Sequence, residues 1–204
     1  MGLKVNLGCG RACMPGWVNV DATALPGVDV VADLERCRTQ RLPFPDDSVD
    51  ELLLSHVLEH VDDTLALMQE LHRVSRPGAI ATIRCPYGGS DDADEDPTHC
   101  HRFFLNSFGY YSQPFYWRAD YGYRGDWQPK RIVLFVDPRE NAGLAPTDVL
   151  RKVRKLRNIA LEMLAEIEAV KPIRAPDRAL LRAPAIEIAY SSRQGQPSAV
   201  TLAG

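Results

Sequence analysis

Short apolar runs that stop abruptly at glycine, aspartate, serine or histidine recur along this chain, and that punctuation limits the fold more than any other feature. The runs are KVNLGCG, GWVNVDA, GVDVVADL, VDELLLSH and GAIATIRCP, with RIVLFVD following from residue 131. Each has the length and β-branched content of a strand. Several are apolar at successive positions, as strands are when helices cover both sides of their sheet. Between the fourth and fifth runs, DDTLALMQELHRVSRPG predicts an amphipathic helix. Asp62 or Asp63 caps it, Leu65, Met68, Leu71 and Val74 keep helical spacing, and Pro77-Gly78 stops it. Residues 147–170, TDVLRKVRKLRNIALEMLAEIEAV, predict a second and longer helix capped by Thr147 or Asp148. Its apolar side would hold Val149, Val153, Leu156, Ala160, Met163, Ile167 and Val170. APAIEIAYSS reads as a last strand. Strands alternating with helices predict a doubly wound α/β fold with a mostly parallel, seven-stranded sheet and helices on both faces.

With 204 residues, 45% of them hydrophobic and 25% charged, the chain is expected to form a single domain around one sizeable core. A net charge of −3 gives no electrostatic case for wholesale nucleic-acid binding. The start, MGLKVNLGCG, lacks the features of a secretion signal, and no run approaches the roughly 18 apolar residues of a membrane span. A cytoplasmic location without membrane contact is therefore expected. Five cysteines, an odd number at irregular spacing, suit reduced thiols.

In a doubly wound sheet, ligands bind where strands end at their carboxyl edge. NLGCG closes the first strand with Gly8 and Gly10, which allow a tight turn and a close backbone approach to a ligand. The second strand ends at Asp21, placed to accept hydrogen bonds from both hydroxyls of a ribose. The third ends in ADL, where Asp33 is suited to an adenine amino group and Leu34 to packing on the base. These strand ends outline an adenosine site. A dinucleotide fingerprint is incomplete, because GCGRACMPG lacks the third glycine and leaves only six residues between Gly10 and Trp17.

Over residues 4–86 these motifs resemble class I S-adenosylmethionine-dependent methyltransferases, of the small-molecule, type 11-like kind. VNLGCG is similar to their first motif and WVNVD to the second-strand acidic motif. ADLERCRTQRLPFPDDSVDELLLSHVLEHV is similar to the third and fourth, and LHRVSRPGAIATIRCP to the helix and strand that follow. The resemblance implies S-adenosyl-L-methionine as cofactor, released as S-adenosyl-L-homocysteine. Its contacts would come from Asn6, Gly8, Cys9, Gly10, Asp21, Ala22, Asp33 and Leu34, with Ser55 and His56 lining the methyl-transfer channel. At the position of Asn6 the family often carries an acid. Residues 1–86 would form the cofactor half, 87–130 an acceptor loop and lid, and 131–204 the C-terminal strands and long helix.

The segment DEDPTHCHRFF, residues 94–104, follows the fifth predicted strand and so falls on the ligand rim. A methyl sulfonium is already activated, so an enzyme using it must align a nucleophile and remove its proton. Histidine suits that task for a hydroxyl or amine, and a neighbouring carboxylate orients it. His99 or His101 is the expected base and Asp96 the orienting group, acting on oxygen or nitrogen of a small-molecule acceptor such as a sugar or secondary metabolite. The aromatics of FFLNSFGYYSQPFYW predict a cover over the site, which the helix at 147–170 completes unless it pairs with its mate in a homodimer. No resident metal is expected. Cys9 and Cys13 lack a second close pair of ligands. HVLEH formally fits H-x-x-E-H zinc peptidases, but His56 ends a strand and does not continue a helix. RNA or protein methylation, hinted at only by RKVRKLR, and a non-catalytic nucleotide- or partner-binding module are the competing readings.

Overall fold

The computed structural model describes residues 2–191. An eight-stranded sheet runs through it in the order β3-β2-β1-β4-β5-β7-β6-β8. The strands are β1 (Leu3–Leu7), β2 (Val18–Asp21), β3 (Val30–Val31), β4 (Val49–Ser55), β5 (Ser75–Pro86), β6 (Trp127–Val136), β7 (Ala160–Ala169) and β8 (Ala185–Tyr190). β1 to β5 pair in parallel. β7 runs antiparallel between β5 and β6, and β8 lies parallel to β6 at the edge. The strand order reverses between β1 and β4, which is where such sheets open a crevice for ligands.

Helix α1 (Thr64–Val74) forms as its sequence dictates. Asp63 accepts a hydrogen bond from the Ala66 amide at 3.0 Å, while Leu67, Met68, Leu71 and Val74 are buried. Ser75 closes it by donating to the Leu71 carbonyl at 2.7 Å. Trp127, fully buried at the start of β6, donates its indole N–H to the Met68 carbonyl and so ties α1 to the sheet. Among the described residues, the short helices α2 (Asp92–Glu95) and α3 (Pro138–Asn141) and the two-turn α4 (Pro146–Val153) are the other α-helices, beside short 3₁₀ turns. The β1–β2 and β2–β3 connections contain no helix.

The long helix expected over residues 147–170 does not form. Pro146 opens α4 at its first position, α4 ends at Val153, and Asn158 turns the chain with a left-handed φ of 58°. Residues from Ala160 onward then enter the sheet as β7. Leu, Glu, Met and Ala favour helix as isolated residues, but the segment also alternates with period two. Met163, Ala165, Ile167 and Ala169 are buried, whereas Glu162, Glu166 and Glu168 share the other face. Those glutamates meet Arg84, Arg131 and Lys130 of the flanking strands. Tertiary pairing on both edges outweighs local propensity.

The predicted aromatic cover divides in two. Phe103, Phe108, Tyr111 and Tyr116 are buried in the main core, while Phe104, Tyr110 and Trp117 are exposed. Among the described residues no helix is long and apolar enough to cross a membrane.

Candidate active site

At the end of β1 the backbone turns through Gly8 (φ 61°) and Gly10 (φ 49°), left-handed values that glycine adopts without steric cost. A Cβ on Gly10 would meet nothing within 4 Å, so this loop faces open space above the sheet. Gly8 is different, because a Cβ there would stand 2.5 Å from Val57 Cγ2. Gly8→Ala is therefore expected to destabilise the protein by roughly 1–3 kcal/mol, measured by urea unfolding. Adding Val57→Ala should recover the steric part of the loss and leave the φ penalty.

Asp21 ends β2 and holds the glycine turn. One carboxylate oxygen accepts the Gly10 amide at 2.8 Å and the other the Thr23 amide at 2.9 Å. Each oxygen keeps a lone pair for a further donor. Cys9 is buried, its amide bonded to the Val20 carbonyl; burial and the neighbouring Cys13 push its thiol up to about 11. Asn6, expected to touch the cofactor, is buried beneath the loop. Its amide donates to the Ala12 carbonyl and to Asn19 Oδ1, which also accepts the Met14 amide. Asn6 shapes the short connection from below. Ala22 is exposed just past Asp21. Asp33 caps the turn Leu34–Arg36 by accepting the Glu35 amide, and Leu34 is buried. Adjacent strand ends thus bring Gly8, Gly10, Asp21 and Asp33 to one rim, which continues at Ser55 where β4 ends.

His56, directly after Ser55, has a φ of 55° and places its imidazole between two carboxylates. Nδ1 lies 3.3 Å from Glu59 and Nε2 3.4 Å from Glu162. The close contacts with Glu162 and then Glu59 outweigh burial and push the imidazole up to about 9, so it is a cation at neutral pH. Burial opposes the charge on Glu162, but His56 and Arg84 together hold its carboxyl below the usual range. Beyond His56 the chain makes only the tight turn Leu58–His60. The helix that a zinc-peptidase motif needs is absent there.

The loop after β5 folds back onto this turn. The Cys100 and His101 amides both donate to the Glu59 carbonyl, at 2.7 and 3.2 Å. His99 is thereby brought against His60, with ring centroids 4.7 Å apart and edge to face. Asp96 lies 3.8 Å from His99 and accepts the Thr98 amide and hydroxyl, which lower its carboxyl. His56, His60, Asp96, His99 and Glu162 line an open cavity of about 630 Å³. His101 points elsewhere, with Nε2 3.0 Å from the Asp62 carbonyl. The two histidines that the sequence offered as equivalent are thus separated, and only His99 faces the cavity.

Glu59, His60, Arg84 and Glu162 were not expected here. HVLEH carried a signal for the first two, though as a different motif. Glu162 was hidden by the helical reading of its segment, where the period-two alternation was the available cue.

Residues 6–83 match the family model described as a methyltransferase domain of type 11. The matched residues include the strand ends at Gly8, Gly10, Asp21 and Asp33 and the end of β4 at Ser55. Over residues 6–83 the chain is thus similar to a methyltransferase domain, and its fold is that of class I methyltransferases. Among curated proteins, an uncharacterized methyltransferase of Mycobacterium sp. (strain KMS) is 39% identical over 71 residues, which cover 32% of this chain and 28% of that protein. The chain thus spans under a third of the length of that relative. A SAM-dependent methyltransferase from Archaeoglobus fulgidus superposes with a TM-score of 0.57 at 17% identity, covering 82% of this chain and 86% of its own. An S-adenosylmethionine-dependent methyltransferase from Mesorhizobium loti gives 0.51 at 14% identity, with coverage of 81% and 90%. At these identities the likeness is one of fold. The methyltransferase match ends at residue 83, before the histidine-bearing loop.

Proposed function

We propose that this methyltransferase transfers the methyl group of S-adenosyl-L-methionine to an oxygen or nitrogen of a small-molecule acceptor held in the histidine cavity. One observation carries the reading: the glycine and acidic rim and the cavity adjoin at Ser55 and His56, where a cofactor seated on the rim would direct its methyl group. The residues present fit that cofactor. Gly8 and Gly10 leave open backbone for its methionine part, Asp21 has lone pairs for the ribose diol, and Asp33 with Leu34 borders the adenine, while Cys9 and Ala22 flank the turn. Bound there, the cofactor supplies a methyl carbon already activated by a sulfonium.

The protein's own task is alignment and proton removal. His56, as a cation fixed between Glu59 and Glu162, orients groups at the channel mouth. His99 and His60 supply the basic nitrogen atoms facing the acceptor, and Asp96 steadies the loop through Thr98. A cavity of this size has room for a sugar or a secondary metabolite.

The test is formation of S-adenosyl-L-homocysteine when a metabolite pool and cofactor are supplied. His99→Ala is expected to lower kcat by roughly 10²–10⁴-fold, while His101→Ala stays within about threefold of the parent. Equal loss in both variants would overturn the assignment of His99. No product with any pool, from protein that binds the cofactor, would overturn the small-molecule acceptor.

A further inference from the structure

Glu59 is only partly compensated, by the ion pair with His56. Its side chain is 2% exposed, and neither carboxylate oxygen takes part in a hydrogen bond. His56 stands 3.3 Å away as an ion pair but shares its charge with Glu162. Withdrawing a carboxylate from water costs several kcal/mol unless partners satisfy its lone pairs. Its immediate neighbours are ligand-type groups. One oxygen of Glu59 and one ring nitrogen from each of His60 and His99 all lie within 4.8 Å of one another. Ligands bonded to one ion at about 2.0–2.2 Å need only a small inward shift from that spacing.

A hydrogen-bond acceptor stands behind Nδ1 of each ring. The Thr98 hydroxyl donates to Asp96 Oδ1 at 2.6 Å, so its oxygen is the acceptor for a proton on His60 Nδ1, 3.0 Å away. His99 Nδ1 faces the Ala93 carbonyl at 3.4 Å, and a carbonyl can only accept. With Nδ1 of each ring turned to an acceptor, Nε2 is the nitrogen left to face an ion; on His99 it lies 3.8 Å from Asp96 Oδ2. Acceptors behind the far nitrogen are the supporting shell that ligating histidines have. Two imidazoles and one carboxylate, with an open side toward a cavity, suit a divalent transition ion with vacant coordination positions.

We infer that Glu59, His60 and His99 bind one divalent transition-metal ion of the Zn²⁺ type at the wall of the acceptor cavity. Ion binding does not depend on the methyl-transfer reading, but its use does. An ion there would hold the acceptor hydroxyl and lower its pKa. The O–H proton passes to solvent, and an oxygen lone pair forms the bond to the methyl carbon. The S–C bond then breaks with its electron pair staying on sulfur. With the ion bound, His99 and His60 act as ligands in place of the base role given above, and the loss predicted for His99→Ala is the loss of a ligand.

The experiment uses untagged full-length protein, stripped with chelator and dialysed. It is titrated with Co²⁺ by visible absorption, and Zn²⁺ stoichiometry is measured by elemental analysis. One ion per chain is expected. His60→Ala and His99→Ala should each weaken binding at least about 100-fold, and Thr98→Val roughly 10-fold through its hold on His60. His101→Ala should leave binding unchanged. Circular dichroism establishes that the variants fold, and if one does not, wild-type stoichiometry decides alone. Wild-type protein that takes up no stoichiometric ion, or folded variants that bind as tightly as the parent, would sink the proposal. Titration of the same samples with S-adenosyl-L-homocysteine separates failure of the metal site from failure of the methyltransferase reading.

Discussion

Asp21→Ala is expected to weaken S-adenosyl-L-homocysteine binding by at least about 100-fold, measured by calorimetric titration of folded protein. The carboxylate has two jobs. It accepts the Gly10 and Thr23 amides, which fixes the glycine turn, and it presents its remaining lone pairs beyond the end of β2. A hydrogen bond to a charged group contributes about 1.5–3 kcal/mol, and a ribose diol makes two. Loss of both would weaken binding by roughly 10²–10⁴-fold, before any loosening of the turn is counted. Asp21→Asn separates the contributions, because it keeps one acceptor for a backbone amide while losing the charge, and should fall between parent and alanine variant. Asp21→Ala binding within about threefold of the parent would remove the ribose from this strand end, and the cofactor assignment with it.

Asp126→Ala is expected to cost about 3–5 kcal/mol of folding stability, the range for removing one partner of a buried ion pair. Asp126 is fully buried at the entry to β6. Its carboxylate accepts the Arg174 guanidinium at 2.7 and 2.8 Å, the Arg174 amide at 3.0 Å and the Gln113 amide at 3.1 Å. Arg174 also reaches Gln128 and Ser112. This junction binds the aromatic segment, β6 and the chain beyond β7 into one piece. Alanine would leave a mostly buried guanidinium and two backbone amides without their acceptor. Urea denaturation should show the loss as a lowered midpoint. Arg174→Ala should cost a similar amount, and the double variant should cost less than the sum, since both act on one contact. A loss under about 1 kcal/mol would mean that water enters and solvates the pair.

The two predictions differ in how readable their residues were. The place of Asp21 was legible because it is local to a strand end: an acidic residue closing the second run, in phase with a glycine turn closing the first. Asp126 gave no signal, since its partner lies 48 residues away in a segment without periodicity. The same contrast divides the histidines. His99 and His101 are indistinguishable in DPTHCHRF. What separates them is the docking of that loop on the Glu59 carbonyl, which turns one ring toward His60 and the other toward Asp62.

β7 shows where sequence reasoning chose the wrong signal. ALEMLAEIEA carries helix-forming residues in a strand pattern, and propensity is worth at most about 0.7 kcal/mol per ordinary residue. Ten residues paired on both edges of a sheet, with glutamates opposite arginines and a lysine, outweigh it. The error also hid Glu162, which enters the site only because β7 lies beside β5.

The sequence alone determined the fold class, the helix α1, the first five strands and the placing of Gly8, Gly10, Asp21 and Asp33 at adjacent strand ends. These depend on period, caps and glycine, which act between neighbours in the chain. The tertiary structure alone decided the antiparallel insertion of β7, the inward turn of His99 and the convergence of Glu59, His60 and His99. Those features arise from contacts between segments tens of residues apart, and their energies appear only once the sheet has set the strands side by side.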